Sequence, residues 1–235
     1  ASLRGVVDRI EVCDTGSVDS TARIAEDAGA HLSFCEWRDD FGWARNQVLE
    51  RSRDAWFVLW IDADERLECA DPVLLRRTLA TFAGSVDAIS LEVQNVGRDD
   101  EDSDHHFSFR TLRIFRATET VFEGALHEVV RDARTRRPLE TVDLDLAGLR
   151  HHGYTTETIN QRSKRARNLE LARAEYERTG GEKEALDYAR SLSLAGGDAA
   201  TALRLIDEAL SGAETMSAGG RAHLRGLAGN LALRL

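Results

Sequence analysis

The sequence predicts an α/β fold, a mixed sheet with flanking helices over residues 1–154, followed by an all-α region over residues 155–235. Three observations predict it. Short apolar runs alternate with helix-length amphipathic segments through the first part. One of those runs, Trp56 to Ile61, is continuous and of strand length, and it delivers Asp62 and Asp64 at its end. From about Thr155 the composition shifts to Ala, Leu, Glu and Arg, with no strand-like run.

The elements follow in order. Val6 to Asp14 reads as a strand ending in the polar loop Asp14-Thr15-Gly16-Ser17. A helix then starts at Asp19 or Ser20 as N-cap, with Ile24, Ala25 and Ala28 facing inward and Gly29 ending it. His31 to Trp37 reads as a second strand and Phe41 to Arg51 as a second helix, with Phe41, Ala44, Val48 and Leu49 inward. Trp56 to Ile61 is expected to be buried on both faces of a parallel sheet. After a helix over Pro72 to Phe82, strand patterning recurs at Ala88 to Val96, Phe107 to Phe115, Val121 to Val130 and Val142 to Leu149, with an acidic loop at Asp99 to Asp104. Helices are expected at Thr155 to Arg178, Glu182 to Leu194, Ala199 to Leu210 and Ala218 to Leu233. Within them, Ala185 to Leu210 resembles a tetratricopeptide repeat, through Tyr188, Ala189, Leu192, Gly197-Asp198, Ala202 and Leu203.

Composition narrows the function classes. The 235 residues carry 41 acidic against 31 Arg and Lys side chains, a net charge of −10, which argues against nucleic acid as a partner. Three cysteines, Cys13, Cys35 and Cys69, form no CxxC pair and read as reduced thiols of a cytoplasmic protein. No run reaches the roughly 20 apolar residues of a membrane span.

Acids at strand ends are candidates for chemistry because ligands of open α/β sheets bind where strand carboxyl ends and helix N-termini converge. Asp62 and Asp64 could hold a hard cation through oxygen, or form a polar turn that caps the next helix. Asp14 could face the same crevice, or close an Asx turn with Ser17 and Asp19 serving as an N-cap. A phosphotransferase using the Asp62/Asp64 triplet would need Thr or Val after its second acid, where Glu65 stands.

Taken together, Asp14 to Thr21, Trp37-Arg38-Asp39-Asp40-Phe41, Ala44-Arg45-Asn46, Ile61-Asp62-Ala63-Asp64-Glu65, Gly124-Ala125-Leu126-His127-Glu128 and His152-Gly153-Tyr154 resemble, in order and spacing, a family 2 glycosyltransferase of GT-A fold with C-terminal tetratricopeptide repeats. The resemblance implies an inverting transferase that moves a sugar from a nucleotide-sugar donor, a UDP-sugar above all, to a peptide, metabolite or glycan, with magnesium or manganese as cofactor. It implies Asp64 as direct metal ligand and Asp62 at the ribose or a metal-bound water. It further implies Asp14 at the nucleobase, Arg45 at the phosphates, and His152 completing the metal site with His151 as its rival. Glu128 is implied as the base that takes the acceptor proton, with His127 as orienter. Structural roles stay open for each: a solvated Arg45, hydrogen-bonded His127 and His152, a surface Glu128. The alternative function is a non-catalytic interaction protein, a degenerate transferase domain carrying protein-binding helical repeats. Family members also begin with a strand and helix ahead of the Asp14 strand, so the expectation is that further residues precede Ala1, and that a chain lacking them would have unpaired sheet edges and impaired activity.

Overall fold

The computed structural model describes residues 2–95, 108–152, 158–212 and 225–229. The acidic loop Asp99 to Asp104, the Gly153-Tyr154 part of the last motif, the 154/155 boundary and most of the helix expected at Ala218 to Leu233 lie outside the described residues.

Two units divide the chain: residues 1–38, 42–123 and 128–156 form one, and residues 39–41, 124–127 and 157–235 the other. In the first, β1 (Glu11–Asp14), α1 (Thr21–Asp27) and β2 (His31–Phe34) form a right-sized βαβ unit, β1 and β2 pairing in parallel from Glu11↔His31 to Asp14↔Phe34. The strand begins at Glu11 rather than Val6. Residues 2–6 instead form turns, with the Leu3 carbonyl accepting from Val6 N at 3.1 Å, and Val6 enters the main core at 7% exposure. On α1 the expected inward face is not buried: Ile24 is 60% exposed and no residue of the helix is buried. Its sheet is only two strands wide and hydrogen-bonds apart from the larger one, so it offers little surface to cover a helix. Across that small sheet the Cys13 and Cys35 thiols lie 2.8 Å apart, both free. Burial, then the neighbouring Cys13, pushes the Cys35 thiol up to about 11.

The larger sheet has the order β3-β6-β5-β9-β4, with β3 (Phe57–Leu59), β4 (Glu65–Cys69), β5 (Ala88–Asn95), β6 (Ser108–Arg116) and β9 (Thr141–His151). Here β5 is the strand buried on both faces. Ile89, Leu91 and Val93 join Leu67, Leu75, Ile114 and Leu149 in one core, beneath α3 (Pro72–Phe82). Ala88 and its neighbour Phe115 point the other way, onto Leu49 of α2 (Phe41–Glu50) and Phe122. Alternation along β5 and β6 thus feeds two cores, and each buried Leu or Ile contributes roughly 1.5–3 kcal/mol.

The run expected to be an interior parallel strand is instead the edge strand β3, antiparallel to β6, with half-buried side chains and Trp56 71% exposed. Apolar content alone did not separate an edge strand that leans on neighbours from a central one. The strand β4 went unanticipated because only Leu67 of Glu65-Arg66-Leu67-Glu68-Cys69 is buried and charges hide the alternation. Val121 to Val130, expected as one strand, is a hairpin of β7 (Thr120–Glu123) and β8 (Val129–Asp132), broken where Gly124 and His127 take φ of 105° and 51°.

In the second unit α4 (Thr158–Thr179), α5 (Glu182–Ala195) and α6 (Ala199–Gly212) pack as consecutive helical hairpins. Small residues, Ala185, Ala189, Ala202 and Ala209, interleave with Leu192, Leu205 and Ile206 to let α5 and α6 approach closely. The left-handed Gly196 (φ 70°) ends α5, and Asp198 accepts the Thr201 amide at 2.9 Å at the start of α6. Among the described residues no helix is long and apolar enough to cross a membrane.

Candidate functional site

Asp62-Ala63-Asp64-Glu65 is a β-turn closed twice. The Asp62 carbonyl accepts from Glu65 N at 3.0 Å, and the Glu65 carboxylate accepts from Asp62 N at 2.9 Å. The turn joins β3 to β4 and sets its two aspartates in different surroundings.

Asp62 lies in a network of alternating charge. One of its oxygens accepts from Arg45 at 3.0 Å and from the Trp60 indole at 3.2 Å; the other faces Arg113 at 3.4 Å. Arg45 also pairs through Nε with Glu128, and Arg113 with Glu65. The sequence Glu128, Arg45, Asp62, Arg113, Glu65 is therefore continuous. Arg45 projects from α2 and its guanidinium stacks 4.6 Å from the Trp60 ring and 5.6 Å from that of Phe122. The next residue, Asn46, clasps both the N–H and the C=O of Phe122 at 2.9 Å, fastening the β7–β8 hairpin that carries Glu128. Glu65 is the buried end, with a side chain only 2% exposed. Burial pushes its carboxyl up, against the opposing pull of the Asp62 amide and the Arg113 guanidinium.

Asp64, by contrast, is half-exposed and meets His151, whose Nε2 lies 3.3 Å from its carboxylate. Strand pairing brings them together: Glu65 stands opposite His151 in the β4–β9 ladder, and His152 N donates to the Asp64 carbonyl at 2.8 Å. On the other side β9 runs parallel to β5 and places Asn95 opposite His151, with Asn95 Oδ1 2.7 Å from His151 Nδ1. Both ring nitrogens of His151 thus face oxygens, Asn95 Oδ1 and the Asp64 carboxylate, and the Asn95 contact fixes the orientation of the ring, as second partners do for metal-binding imidazoles.

Among the described residues no cluster of three or more His, Cys, Asp and Glu side chains forms a closed metal site. Asp64 and His151 could furnish one carboxylate oxygen and one imidazole nitrogen to a divalent ion, a partial set that leaves the rest of its shell to other donors. Asp62 already serves three donors, so its carboxylate organises the turn.

Of the residues singled out from the sequence, the structure brings together Arg45, Asp62 and Glu128, and separately Asp64 and His151. His152 contributes its main chain to the Asp64 turn. His127 takes the left-handed backbone next to Glu128 in the chain. Asp14, 5% exposed, turns one oxygen onto its own loop, accepting from Ser17 N at 2.7 Å and Gly16 N at 2.9 Å. Those two amides, Ser17 first, hold its carboxyl below the usual range. Sequence reasoning missed Arg113, Trp60 and Asn95 and gave Glu65 no role. A visible signal for Arg113 was a charge set within the apolar run Leu112-Arg113-Ile114-Phe115.

A TPR repeat-containing protein of Synechococcus elongatus is 32% identical over 168 residues, 69% of this chain, and the chain spans 40% of that relative's length. The family model of glycosyl transferase family 2 matches residues 2–135, which include Asp14, Arg45, Asp62, Asp64 and Glu128. The chain belongs to glycosyl transferase family 2.

Proposed function

We propose that the chain is part of a metal-dependent inverting glycosyltransferase that takes a UDP-sugar as donor and a hydroxyl or amide nucleophile of a peptide, metabolite or glycan as acceptor. One observation carries the reading: an exposed Asp64 beside an oriented His151, one turn residue away from an Asp62 that Arg45 links to Glu128.

In this reading Asp64 and His151 hold the divalent ion, which supplies charge neutralisation for the departing diphosphate. Asp62, fixed by Arg45, Trp60 and Arg113, presents the turn to the ribose. Glu128 accepts the proton of the acceptor nucleophile, and Arg45 holds that carboxylate at a set distance from the donor-side acid. With Nε on Glu128 and Nη1 on Asp62, Arg45 is a spacer between donor and acceptor sides as well as a cation near phosphate. His127 orients the acceptor beside Glu128, and Asp14 serves the nucleobase through its ordered loop.

Calorimetry with UDP, with and without manganese, tests the proposal. Metal-dependent binding that is lost in Asp64→Ala supports it, whereas binding indifferent to manganese or to that substitution rejects it. The likeness to a protein named for TPR repeats favours a protein-binding role for α4 to α6 alongside catalysis, with a peptide or protein as acceptor.

A further inference from the structure

The buried end of the charge network has no part in the proposed chemistry, yet it is the costliest piece of the site to build. Glu65 and Arg113 have side chains 2% and 13% exposed. Arg113 is delivered by β6: it stands opposite Trp60, whose amide donates to its carbonyl at 2.8 Å just beyond the β3 ladder. Its guanidinium then spans two acids, Glu65 through Nη2 and Asp62 through Nη1. The third nitrogen, Nε, is buried with no hydrogen-bond partner among the described residues. A residue serving only packing would be better as Leu or Met, which carry no N–H to leave unsatisfied. Glu65 in turn uses its second oxygen on the main-chain amide of Asp62, not on a surface group.

We infer that Arg113 and Glu65 are positioning residues for the donor turn, a forked clamp that holds the backbone and carboxylate of Asp62 and thereby aims Asp64 at His151. This inference rests on the donor-site reading above. Neither residue needs to touch the donor. Arg113 fixes the Asp62 side chain, Glu65 fixes the Asp62 amide, and the bond between them keeps both in one geometry. A lysine at 113 would keep the charge and lose the fork, because an ammonium is a point donor without two rigid parallel arms.

The test uses two readouts on the whole chain. Hydrogen exchange reports whether the Asp62 amide is held, against the core amides of Leu91 and Ile114, and calorimetry reports UDP affinity in the presence of manganese. In Arg113→Lys the Asp62 amide is expected to exchange about tenfold faster while the core amides keep their rates, and UDP affinity to fall about tenfold, the size seen when a supporting partner of a metal ligand is lost. Millimolar methylguanidinium should restore affinity to Arg113→Ala. Should Arg113→Lys fail to fold, the uncharged pair Glu65→Gln/Arg113→Met keeps the volume and is expected to show the same two changes. Unchanged Asp62 exchange with wild-type affinity overturns the inference and leaves the donor reading intact. Uniformly faster exchange at all three amides with unchanged affinity also overturns it, since that describes a strut. If the wild-type chain binds no UDP with manganese, the donor reading falls, while selective loss of Asp62 protection still upholds the clamp.

Discussion

The loop after β1 and the turn after β3 both set carboxylates at the end of a strand, and in sequence they look alike. Asp14 folds back on its own loop and accepts the Gly16 and Ser17 amides. Asp62 is gripped by side chains from α2, β6 and its own turn, and Asp64 is left half-exposed toward an imidazole from β9. What separates the three acids is the number and origin of their partners. An acid satisfied by local amides can build a loop with no help from the rest of the fold. An acid served by residues 17 and 51 positions away exists only once the sheet has formed, so it ties a local turn to global structure.

Four substitutions would break or sharpen that contrast. The largest effect is expected at Asp64, where Ala should lower manganese-dependent UDP affinity by roughly 100-fold or more with little change in Tm; a variant that binds like wild type would reject the metal-dependent donor site. Next is Arg45→Met, which strands Glu128 and Asp62 together. Breaking a fully buried pair costs about 3–5 kcal/mol, but Asp62 is 36% exposed, so solvent screening reduces the expected loss to about 2 kcal/mol in urea unfolding. A smaller loss, about 1 kcal/mol, is expected for Asp14→Ala, and it should depend on pH. Because the folded carboxyl of Asp14 lies below its ordinary value, its contribution is fully present above the unfolded pKa of about 3.9 and disappears as pH falls through the lower folded value. Wild type and variant should therefore converge in stability in strong acid; a gap independent of pH would mean that the loop is held by something other than the charged carboxylate. The smallest change is expected at Ile24, where Ser should alter stability by less than about 0.5 kcal/mol, since the side chain lies open rather than in a core.

Much of this was legible before the structure. Helix α3 spans Pro72–Phe82, as its pattern predicts, because Pro at N1 and the Asp71 cap leave little freedom at its start. Helices α5 and α6 start where Glu182 and Ala199 predict and run one or two residues past the predicted ends, with glycine or capping aspartate between them. The reading failed where neighbours decide. Trp56 to Ile61 is apolar enough for an interior strand, but β6 is its partner on one side only and β5 holds the middle. Arg113 and Asn95 could not be assigned to the site because their distance to Asp62 and His151 is set by strand register, which a single sequence does not print. Of two adjacent histidines, the ladder selects 151 for the side-chain contact with Asp64 and gives 152 a main-chain one.

That selection has a precise origin in the irregular pairing of β5 with β9. At the start of the ladder Ser90 faces Asp143, whereas after the bulge Glu92 faces Gly148 and Asn95 faces His151, so β9 has gained three residues on its neighbour. Without that gain Asn95 would stand opposite Gly148, and the imidazole would sit about 10 Å farther along the strand. For protein engineering, this means that length matters on β9 itself: a residue added between Asp143 and Gly148 re-indexes the chemistry of everything downstream on that strand.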